Sequence, residues 1–289
     1  MSEFVITTES NCDLPGSYVA EHQIGVIPHY YTVDEEMYGE DKELTTREFY
    51  DAMRAKKKAA TMASNPAVIL DTFTAYAKEG KDILHISFSS ALSSGYNNIV
   101  NGANEVLEEY PDRKIIVIDT LSASMCEGMM IMKAVEMRDA GKTIEETADW
   151  VKAHVADLCA VFTVDDLDFL YRGGRLSKST AVLGTMINIK PILHINDEGK
   201  LVALSKVRGR KKSLATLVDL MDSKLGKYRD DQIMVTVIHG DCEEEANTVA
   251  DMIKERFGYK DVMVAPIGPS IGAHSGPGTV GLLFMGEER

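Results

Sequence analysis

Short apolar runs alternate with longer amphipathic stretches along the first half of the chain. The apolar runs cover residues 4–6, 83–86 and 115–118, and such short runs are typical of buried strands. The stretches that separate them carry apolar residues at helical spacing, over residues 46–58, 66–78, 93–109 and 124–140. Strands that are separated by helices predict a parallel sheet covered on both faces, in a Rossmann-like α/β/α arrangement.

The second half of the chain predicts a different sheet. Strands are expected over residues 158–164, 190–195, 200–207, 232–239, 262–265 and 279–285, and helices over 165–171, 177–185, 210–225 and 243–257. The turn Asn196-Asp197-Glu198-Gly199 joins two of these strands and predicts a hairpin, hence a mixed sheet. We therefore expect an N-terminal α/β domain of residues 1–160 and a C-terminal α/β domain of residues 161–289. Residues 25–33 are expected to add a strand or hairpin to the first sheet.

Composition places the chain among ordinary globular proteins. It has 289 residues, of which 45% are hydrophobic, enough to build two cores. The four cysteines lack a CxxC spacing, which favours reduced thiols. The opening residues lack the basic and apolar segments of an export signal, and no apolar run approaches the ~20 residues of a membrane span. We expect a cytoplasmic protein without stable membrane insertion.

Charge disfavours nucleic acid as a partner but is unevenly distributed. The formal net charge is −14, which opposes binding to phosphate backbones and argues against a DNA-binding regulator. Residues 170–212 nevertheless carry ten basic and two acidic residues, a net charge of +8 that leaves −22 for the rest. A charge run is usually a solvated face. In a protein this acidic, we interpret it as a docking surface for an acidic or phosphate-bearing partner.

Three predicted strands run into loops rich in small hydroxyl residues, over residues 7–11, 87–95 and 119–124. The carboxyl ends of parallel strands meet at one edge of a sheet, where ligands of open α/β folds bind. Serine and threonine there can cap helices, and the exposed N–H groups at a helix start favour a carboxylate or phosphate. Plain helix capping and an anion site remain the two interpretations.

Nucleotide and metal motifs are absent from the sequence. No GxGxxG follows a strand, no P-loop pattern exists, and the seven histidines are dispersed, so no cofactor or metal is predicted. Residues 268–272 match the G-x-S-x-G pattern of a nucleophile elbow. Four glycines and two prolines between residues 268 and 278 instead predict a tight loop, with His274 either contacting an anion or filling a turn. A serine hydrolase that uses Ser270 or Ser93 with His274 is kept as an alternative.

Methionine is abundant, and five of the fifteen fall in the predicted helix over residues 124–140. Such clusters usually fill a core. Flexible, polarizable side chains would also suit the wall of a cavity that accepts an alkyl chain.

Four segments resemble motifs of the DegV family, bacterial fatty-acid-binding proteins that serve as the lipid-carrying component of fatty acid kinase. The segments are residues 6–15, 89–96, 171–176 and 268–278, and the likeness extends over residues 3–285. The chain departs from the family pattern at several positions: residues 61–66 match its TSxPS-like segment only loosely, and Cys126 stands where a family helix begins with glycine. Glu9 stands where the family has aspartate, and Ser94-Gly95 stands where it has glycine-threonine.

The resemblance implies a lipid carrier rather than an enzyme, with a long-chain fatty acid at the junction of two α/β domains. It assigns the carboxylate contacts to Thr61, Ser93 and His274. Ser94, Gly95, Gly272 and Gly276 would support these contacts, and Arg172, Arg175, Lys206 and Arg208 would dock the kinase catalytic subunit. The resemblance also implies a role in phospholipid metabolism through acyl-phosphate formation. A stand-alone serine-dependent hydrolase or acyl transferase is the alternative.

Overall fold

The computed structural model describes residues 4–39, 42–176 and 188–289. The helix predicted over residues 177–185 lies outside these ranges. The chain divides into two compact units, the first formed by residues 1–30 with 62–155 and the second by residues 31–61 with 156–289. The hydrophobic pattern instead assigned residues 31–61 to the first domain and put the boundary at residue 160.

The described residues form strands and helices that we number in chain order. The strands are β1 (Phe4–Glu9), β2 (Gly25–Ile27), β3 (Tyr31–Val33), β4 (Glu36–Tyr38), β5 (Ala59–Thr61), β6 (Asp82–Ser87), β7 (Ile115–Asp119), β8 (Leu158–Thr163), β9 (Ile189–Ile195), β10 (Leu201–Arg208), β11 (Thr236–His239), β12 (Met263–Pro266) and β13 (Val280–Met285). The helices are α1 (Gly16–Glu21), α2 (Thr46–Arg54), α3 (Pro66–Lys78), α4 (Gly95–Glu109), α5 (Met125–Asp139), α6 (Ile144–His154), α7 (Asp168–Arg172), α8 (Arg210–Lys224), α9 (Glu243–Phe257) and α10 (Pro269–Ser275).

The first unit is built on a parallel four-stranded sheet with the order β2-β1-β6-β7. Every residue of β1 and β6 is buried, which requires that both faces of the sheet are covered. Side chains of α3 and α4, including Ile69, Phe73 and Ile99, form a core with Ile27 and Ile83. The predicted parallel α/β arrangement is confirmed.

The second unit contains a mixed six-stranded sheet with the order β10-β9-β8-β13-β11-β12. Only β11 and β12 pair in parallel. The predicted hairpin joins β9 to β10, and its turn is closed by hydrogen bonds between Asn196 and Lys200 and from Gly199 N–H to the Asn196 carbonyl. Leu217, Met221 and Val249 of α8 and α9 are buried against this sheet. The mixed sheet predicted for the second half is thereby confirmed.

Residues 31–61 form a small antiparallel sheet, β4-β3-β5, together with α2. Phe49 and Tyr50 of α2 are completely buried, in a cluster that includes Ala273 and Phe169 from the C-terminal part of the chain. This burial places the segment in the second unit. The strand expected over residues 25–33 is therefore two strands, of which only β2 joins the parallel sheet.

Capping side chains mark the starts of three helices, α2, α3 and α6. In α2 and α6 the capping residues Thr45 and Thr143 each exchange hydrogen bonds with a glutamate three residues later. At the start of α3, Asn65 accepts a hydrogen bond from the Ala67 N–H and Pro66 takes the first helical position. These caps fix where the three helices begin.

A glycine allows α3 and α4 to pack closely within the first unit. A Cβ at Gly102 of α4 would lie 2.6 Å from Cγ2 of Ile69, a completely buried residue of α3. Gly102 is itself buried, so the contact cannot be relieved by moving into solvent. The two helices can therefore lie this close together only because residue 102 has no side chain.

We expect Gly102→Ala to lower the free energy of unfolding by about 1–2 kcal/mol, because overpacking of about 1–3 kcal/mol exceeds the helix propensity gained from alanine. Urea unfolding of the variant against Asn101→Ala, an exposed neighbour on α4, measures the effect. Combining Gly102→Ala with Ile69→Leu, which removes Cγ2, should recover part of the loss. If Gly102→Ala proves as stable as Asn101→Ala, the close contact does not limit the packing.

Candidate functional site

Thr61 and His274 lie together in the second unit. Thr61 Oγ1 is 2.8 Å from Nε2 of His274, and both side chains are half-buried. Thr61 ends β5 and pairs with Tyr31 of β3, whereas His274 lies in the last turn of α10. Two of the three residues that the resemblance assigns to a carboxylate are thus hydrogen-bonded to each other across 213 positions of sequence.

The segment around His274 is a helix rather than the loop that its glycines and prolines predict. Pro269 occupies the first turn of α10, where its missing N–H is not needed, and Gly276 ends the helix at a φ of 79°. The Gly276 N–H donates to the Gly272 carbonyl at 2.8 Å. The loop prediction was wrong because it rested on glycine and proline content alone. In the structure Pro269 starts the seven-residue helix, Gly272 packs within it and Gly276 ends it.

Gly272 allows α10 to approach α2. A Cβ at this position would overlap the Tyr50 hydroxyl and lie 3.1 Å from the Phe49 ring. The Tyr50 hydroxyl donates to the Ile267 carbonyl at 3.1 Å, just before α10 begins. A small residue at Gly272 therefore lets a buried tyrosine anchor the helix that carries His274.

The G-x-S-x-G match fails for a different reason from the one its composition suggested. A strand, β12, precedes it and a helix, α10, follows it, so the strand–helix context is present. Among the described residues, Ser270 is not one of those with positive φ, so it lacks the sharp strained turn of a nucleophile elbow. Nε2 of His274 is hydrogen-bonded to Thr61 Oγ1, at 2.8 Å.

Gly173 contacts the His274 ring and was missed as a site residue. It follows α7, and a Cβ at Gly173 would overlap the imidazole Nδ1. The sequence signal was available, because two consecutive glycines follow a short helix, but we interpreted them only as a helix cap. A side chain at Gly173 would displace the imidazole from its position beside Thr61.

Ser93, the third predicted carboxylate contact, lies in the first unit. Its side chain is half-buried, and its Oγ accepts a hydrogen bond from the Gly95 N–H at 3.0 Å. Ser94 is exposed at the start of α4 and makes no side-chain cap, and Ser124 before α5 makes none either. Of the two interpretations of these loops, plain helix capping is not realised at Ser94 or Ser124. Ser124 instead hydrogen-bonds Asp13 at 2.5 Å and has a φ of 56°.

A buried polar network lies at the carboxyl ends of β1 and β6 in the first unit. Glu9, 1% exposed, accepts hydrogen bonds from the Ser87 hydroxyl at 3.2 Å and the Phe88 N–H at 3.3 Å. His85 also contacts Glu9, with Nε2 at 3.3 Å from Glu9 Oε2. The other ring nitrogen of His85, Nδ1, is 2.9 Å from Thr7 Oγ1. His85 is completely buried, so the whole network is shielded from solvent.

Glu127 of α5 is a second buried carboxyl group in this unit. Thr8 donates a hydrogen bond to its Oε1 at 2.7 Å, and no hydrogen-bond partner for Oε2 is found within the described ranges. Burial, and then the negative charge of Glu9, raise the pKa of Glu127 well above its usual value. The proton that Glu127 thereby retains removes one negative charge from the buried network. Met125, Met129 and Met130 of the same helix are completely buried.

The basic block is divided between exposed and internally paired residues. Lys206 and Arg208 are exposed on β10, the edge strand of the six-stranded sheet, and Arg172 is exposed but 2.8 Å from Asp168. Arg175 is half-buried, donates to the Gly173 carbonyl, and has its pKa lowered by burial. Arg210 binds Glu245 at 2.6 Å. The net charge of +8 therefore overstates the cationic surface, and Lys178 lies outside the described residues.

The described ranges hold neither a metal-binding cluster nor a membrane-spanning helix. No group of three or more histidine, cysteine, aspartate or glutamate side chains there could hold a metal ion. In the same ranges, no helix has both the length and the apolar character needed to cross a membrane.

The fold and these residues define an α/β protein with one parallel and one mixed sheet, and comparisons identify its family. A family model described as "Uncharacterised protein, DegV family" matches residues 3–287, so the chain belongs to the DegV family. A DegV domain-containing protein of Clostridium perfringens is 38% identical over 100% of this chain and 99% of its own length.

Solved structures of the same fold include proteins with bound fatty acids. A stearic acid-binding protein from Eubacterium ventriosum has a TM-score of 0.90 at 25% identity, with 98% of each chain covered. A DegV family protein from Ruminococcus gnavus, refined with vaccenic acid, has a TM-score of 0.86 at 25% identity, with 97% of this chain and 99% of the other covered. Structural neighbours of this chain are thus fatty-acid-binding DegV proteins.

We expect Glu127→Gln to stabilise the first unit, increasingly so at higher pH. Folded Glu127 keeps its proton where an unfolded glutamate, with a pKa of about 4.3, has lost it, so stability falls as pH rises above that value. Glutamine keeps the oxygen that accepts from Thr8 but does not titrate. Urea unfolding at about pH 5 and about pH 7.5 should show a larger advantage at the higher value.

Glu105→Gln is the matched control, because Glu105 lies on the exposed face of α4 and the substitution removes a solvated charge. An equal effect of Glu127→Gln at both pH values would contradict a retained proton on Glu127.

Proposed function

We propose that this protein binds a long-chain fatty acid and presents its carboxylate to a separate ATP-dependent kinase. The observation that carries the proposal is the hydrogen bond between Thr61 and His274, two donors placed together by distant parts of the chain. The fatty acids bound to DegV structures of the same fold support it.

The Thr61–His274 pair has the chemistry that a carboxylate requires. When Nε2 of His274 donates to Thr61 Oγ1, the threonine hydroxyl proton is directed elsewhere and can be donated to a ligand oxygen. Ser93 supplies a further hydroxyl in the proposed site. Such donors offset the loss of hydration when a carboxylate leaves water. An acyl chain would contribute most of the gross affinity, at ~0.8 kcal/mol for each buried methylene.

The phosphoryl chemistry is assigned to the partner. An oxygen of the fatty-acid carboxylate attacks the γ-phosphorus of ATP, the bond to ADP breaks, and an acyl-phosphate forms for phospholipid synthesis. The chain carries no P-loop or dinucleotide motif, so we assign ATP binding to a separate catalytic subunit. The exposed Arg172, Lys206 and Arg208 are the proposed docking residues, with Arg175 supporting the turn at Gly173.

Native mass spectrometry of the purified protein tests fatty-acid binding directly. We expect a co-purifying mass equal to that of a long-chain acid, released by organic extraction. Release of product from an activated ester, abolished by Ser93→Ala, would favour the alternative of a hydrolase or acyl transferase and overturn the carrier.

We expect Thr61→Val and His274→Ala each to weaken retention of the fatty acid, by roughly 10- to 100-fold. Thr61→Val removes a donor to a charged oxygen, a contribution of about 1.5–3 kcal/mol, and His274→Ala removes the imidazole that directs the Thr61 proton towards the ligand. Equilibrium displacement of a fluorescent fatty acid measures the change, and Thr248→Val, an exposed threonine on α9, is the matched control. Unchanged affinity in both site variants would contradict the assignment.

We expect Arg172→Ala and Arg208→Ala to leave the fatty acid bound but to reduce its phosphorylation by the kinase. Exposed cations speed association with an acidic partner and do not contact a buried ligand. The difference in phosphorylation rate between wild type and the variants should therefore shrink as ionic strength rises. Steady-state phosphorylation measures turnover, and mass spectrometry measures the bound lipid. Lys260→Ala, another exposed cation of the second unit, should have no effect. Loss of lipid in the two arginine variants would show that they belong to the ligand site.

A further inference from the structure

The strand β10 forms one edge of the six-stranded sheet in the second unit. Its eight residues pair with β9 from Leu201 to Arg208, and no strand among the described residues lies on the other side. An edge of this kind presents a row of backbone N–H and C=O groups that an added strand can use. The opposite edge, β12, has only four residues and ends at Pro266, which has no N–H to offer.

The hydrogen bond at the end of the pairing shows which backbone groups of β10 point outward. The Gly209 N–H donates to the Asn188 carbonyl at 2.9 Å, so position 209 directs its backbone groups towards β9. These directions alternate along an antiparallel strand, so Arg208 and Lys206 direct their N–H and C=O groups to the open edge. Pro191 fits this register, because it lies opposite Lys206, where β9 needs no N–H for the pairing.

Four exposed cations lie on and just after this edge: Lys206, Arg208, Lys211 and Lys212. None of them is ion-paired within the described ranges, although the neighbouring Arg210 is. Lys211 and Lys212 also occupy the first turn of α8, where a positive charge is unfavourable, and that turn holds no acidic residue. The negative charge that would offset these cations is therefore expected from another molecule.

The side chains of β10 determine which strand can be added. A second copy of this edge would bring together two sets of four positive charges, and like charges on neighbouring strands are destabilising. The first half of the strand is apolar, with Val202 37% exposed and Leu204, where the register shifts, 41% exposed. The strand that fits therefore has acidic side chains beside Lys206 and Arg208 and apolar side chains along the first half of β10.

We propose that the partner kinase docks by adding an extended acidic segment to β10, as a further strand of the six-stranded sheet. The inference rests on the proposed function and describes how its docking residues Lys206 and Arg208 act. Their side chains attract the acidic segment, and their outward N–H and C=O groups hold it by backbone hydrogen bonds. Cations alone would speed the encounter, whereas the backbone hydrogen bonds fix the register of the bound segment.

Amide hydrogen exchange tests strand addition directly. Exchange is measured by NMR on the protein loaded with fatty acid, alone and with an excess of the purified catalytic subunit. The outward amides of Lys206 and Arg208 should exchange rapidly in the free protein and roughly tenfold or more slowly in the complex. Val264 of β12 is the control, because the Met263 N–H donates inward to the Val235 carbonyl and the next amide points outward. Exchange at Val264 should not change.

Two substitutions at one position separate the backbone hydrogen bond from the charge. Lys206→Gln removes the cation and keeps the N–H, whereas Lys206→Pro removes both, and neither breaks a hydrogen bond to β9. We expect the Kd for the catalytic subunit to rise about threefold in Lys206→Gln and about a further tenfold in Lys206→Pro. Lys260→Gln, an exposed cation elsewhere in the second unit, is the charge control. Circular dichroism and thermal unfolding establish that the variants fold.

Unchanged exchange at Lys206 and Arg208, in a complex that phosphorylates the fatty acid, would overturn the proposal. Equal Kd values for the two Lys206 variants would overturn it as well. Slow exchange that appears without the kinase, as the protein concentration rises, would assign the edge to a second copy and would also contradict the proposal. If Lys206→Pro does not fold, the exchange measurement on wild type decides. If wild type binds no fatty acid, or its bound fatty acid is not phosphorylated, the proposed function itself fails.

Discussion

The burial of the Glu9 carboxylate is the constraint on which the first unit depends. A carboxylate at the end of an interior strand must find donors without water. Those donors are the Ser87 hydroxyl at the end of β6 and the Phe88 N–H just after it, with His85 of β6 as a third neighbour. The same contacts tie the ends of two parallel strands together. The loop that carries Ser93 starts from this junction, so its position is set by a polar network rather than by apolar packing.

The second unit positions its polar pair by different means. There the geometry depends on close contacts at glycines, with Gly272 against Tyr50 and Gly173 against the His274 ring. Thr61 arrives on β5, a strand of three residues held by pairing with β3. Steric fit thus places the imidazole, and backbone hydrogen bonds place the hydroxyl that meets it.

The sequence predicted those features that depend on repeated local patterns. The parallel sheet, the hairpin at Asn196 and the mixed sheet follow from apolar runs and turn residues, and they are confirmed. β5 was missed because Ala59-Ala60-Thr61 has no strand pattern of its own and forms a strand only through its partner. α10 was missed because glycine and proline oppose helix formation locally, while capping and packing against α2 overcome them. Thr61 and His274 came from the family resemblance, whereas Gly173 was missed because its pair of glycines was interpreted only as a helix cap.

The division of the chain into two units has a consequence for biosynthesis. Residues 31–61 belong to the second unit but are enclosed in sequence by the two segments of the first. On a ribosome they emerge before residues 156–275, which include Ala273, a member of the cluster that buries Phe49 and Tyr50. The apolar side chains of this segment therefore lack part of their core until Ala273 has been synthesised. Folding of the first unit proceeds meanwhile around a long unfolded loop, and no single cut in the chain separates the two units.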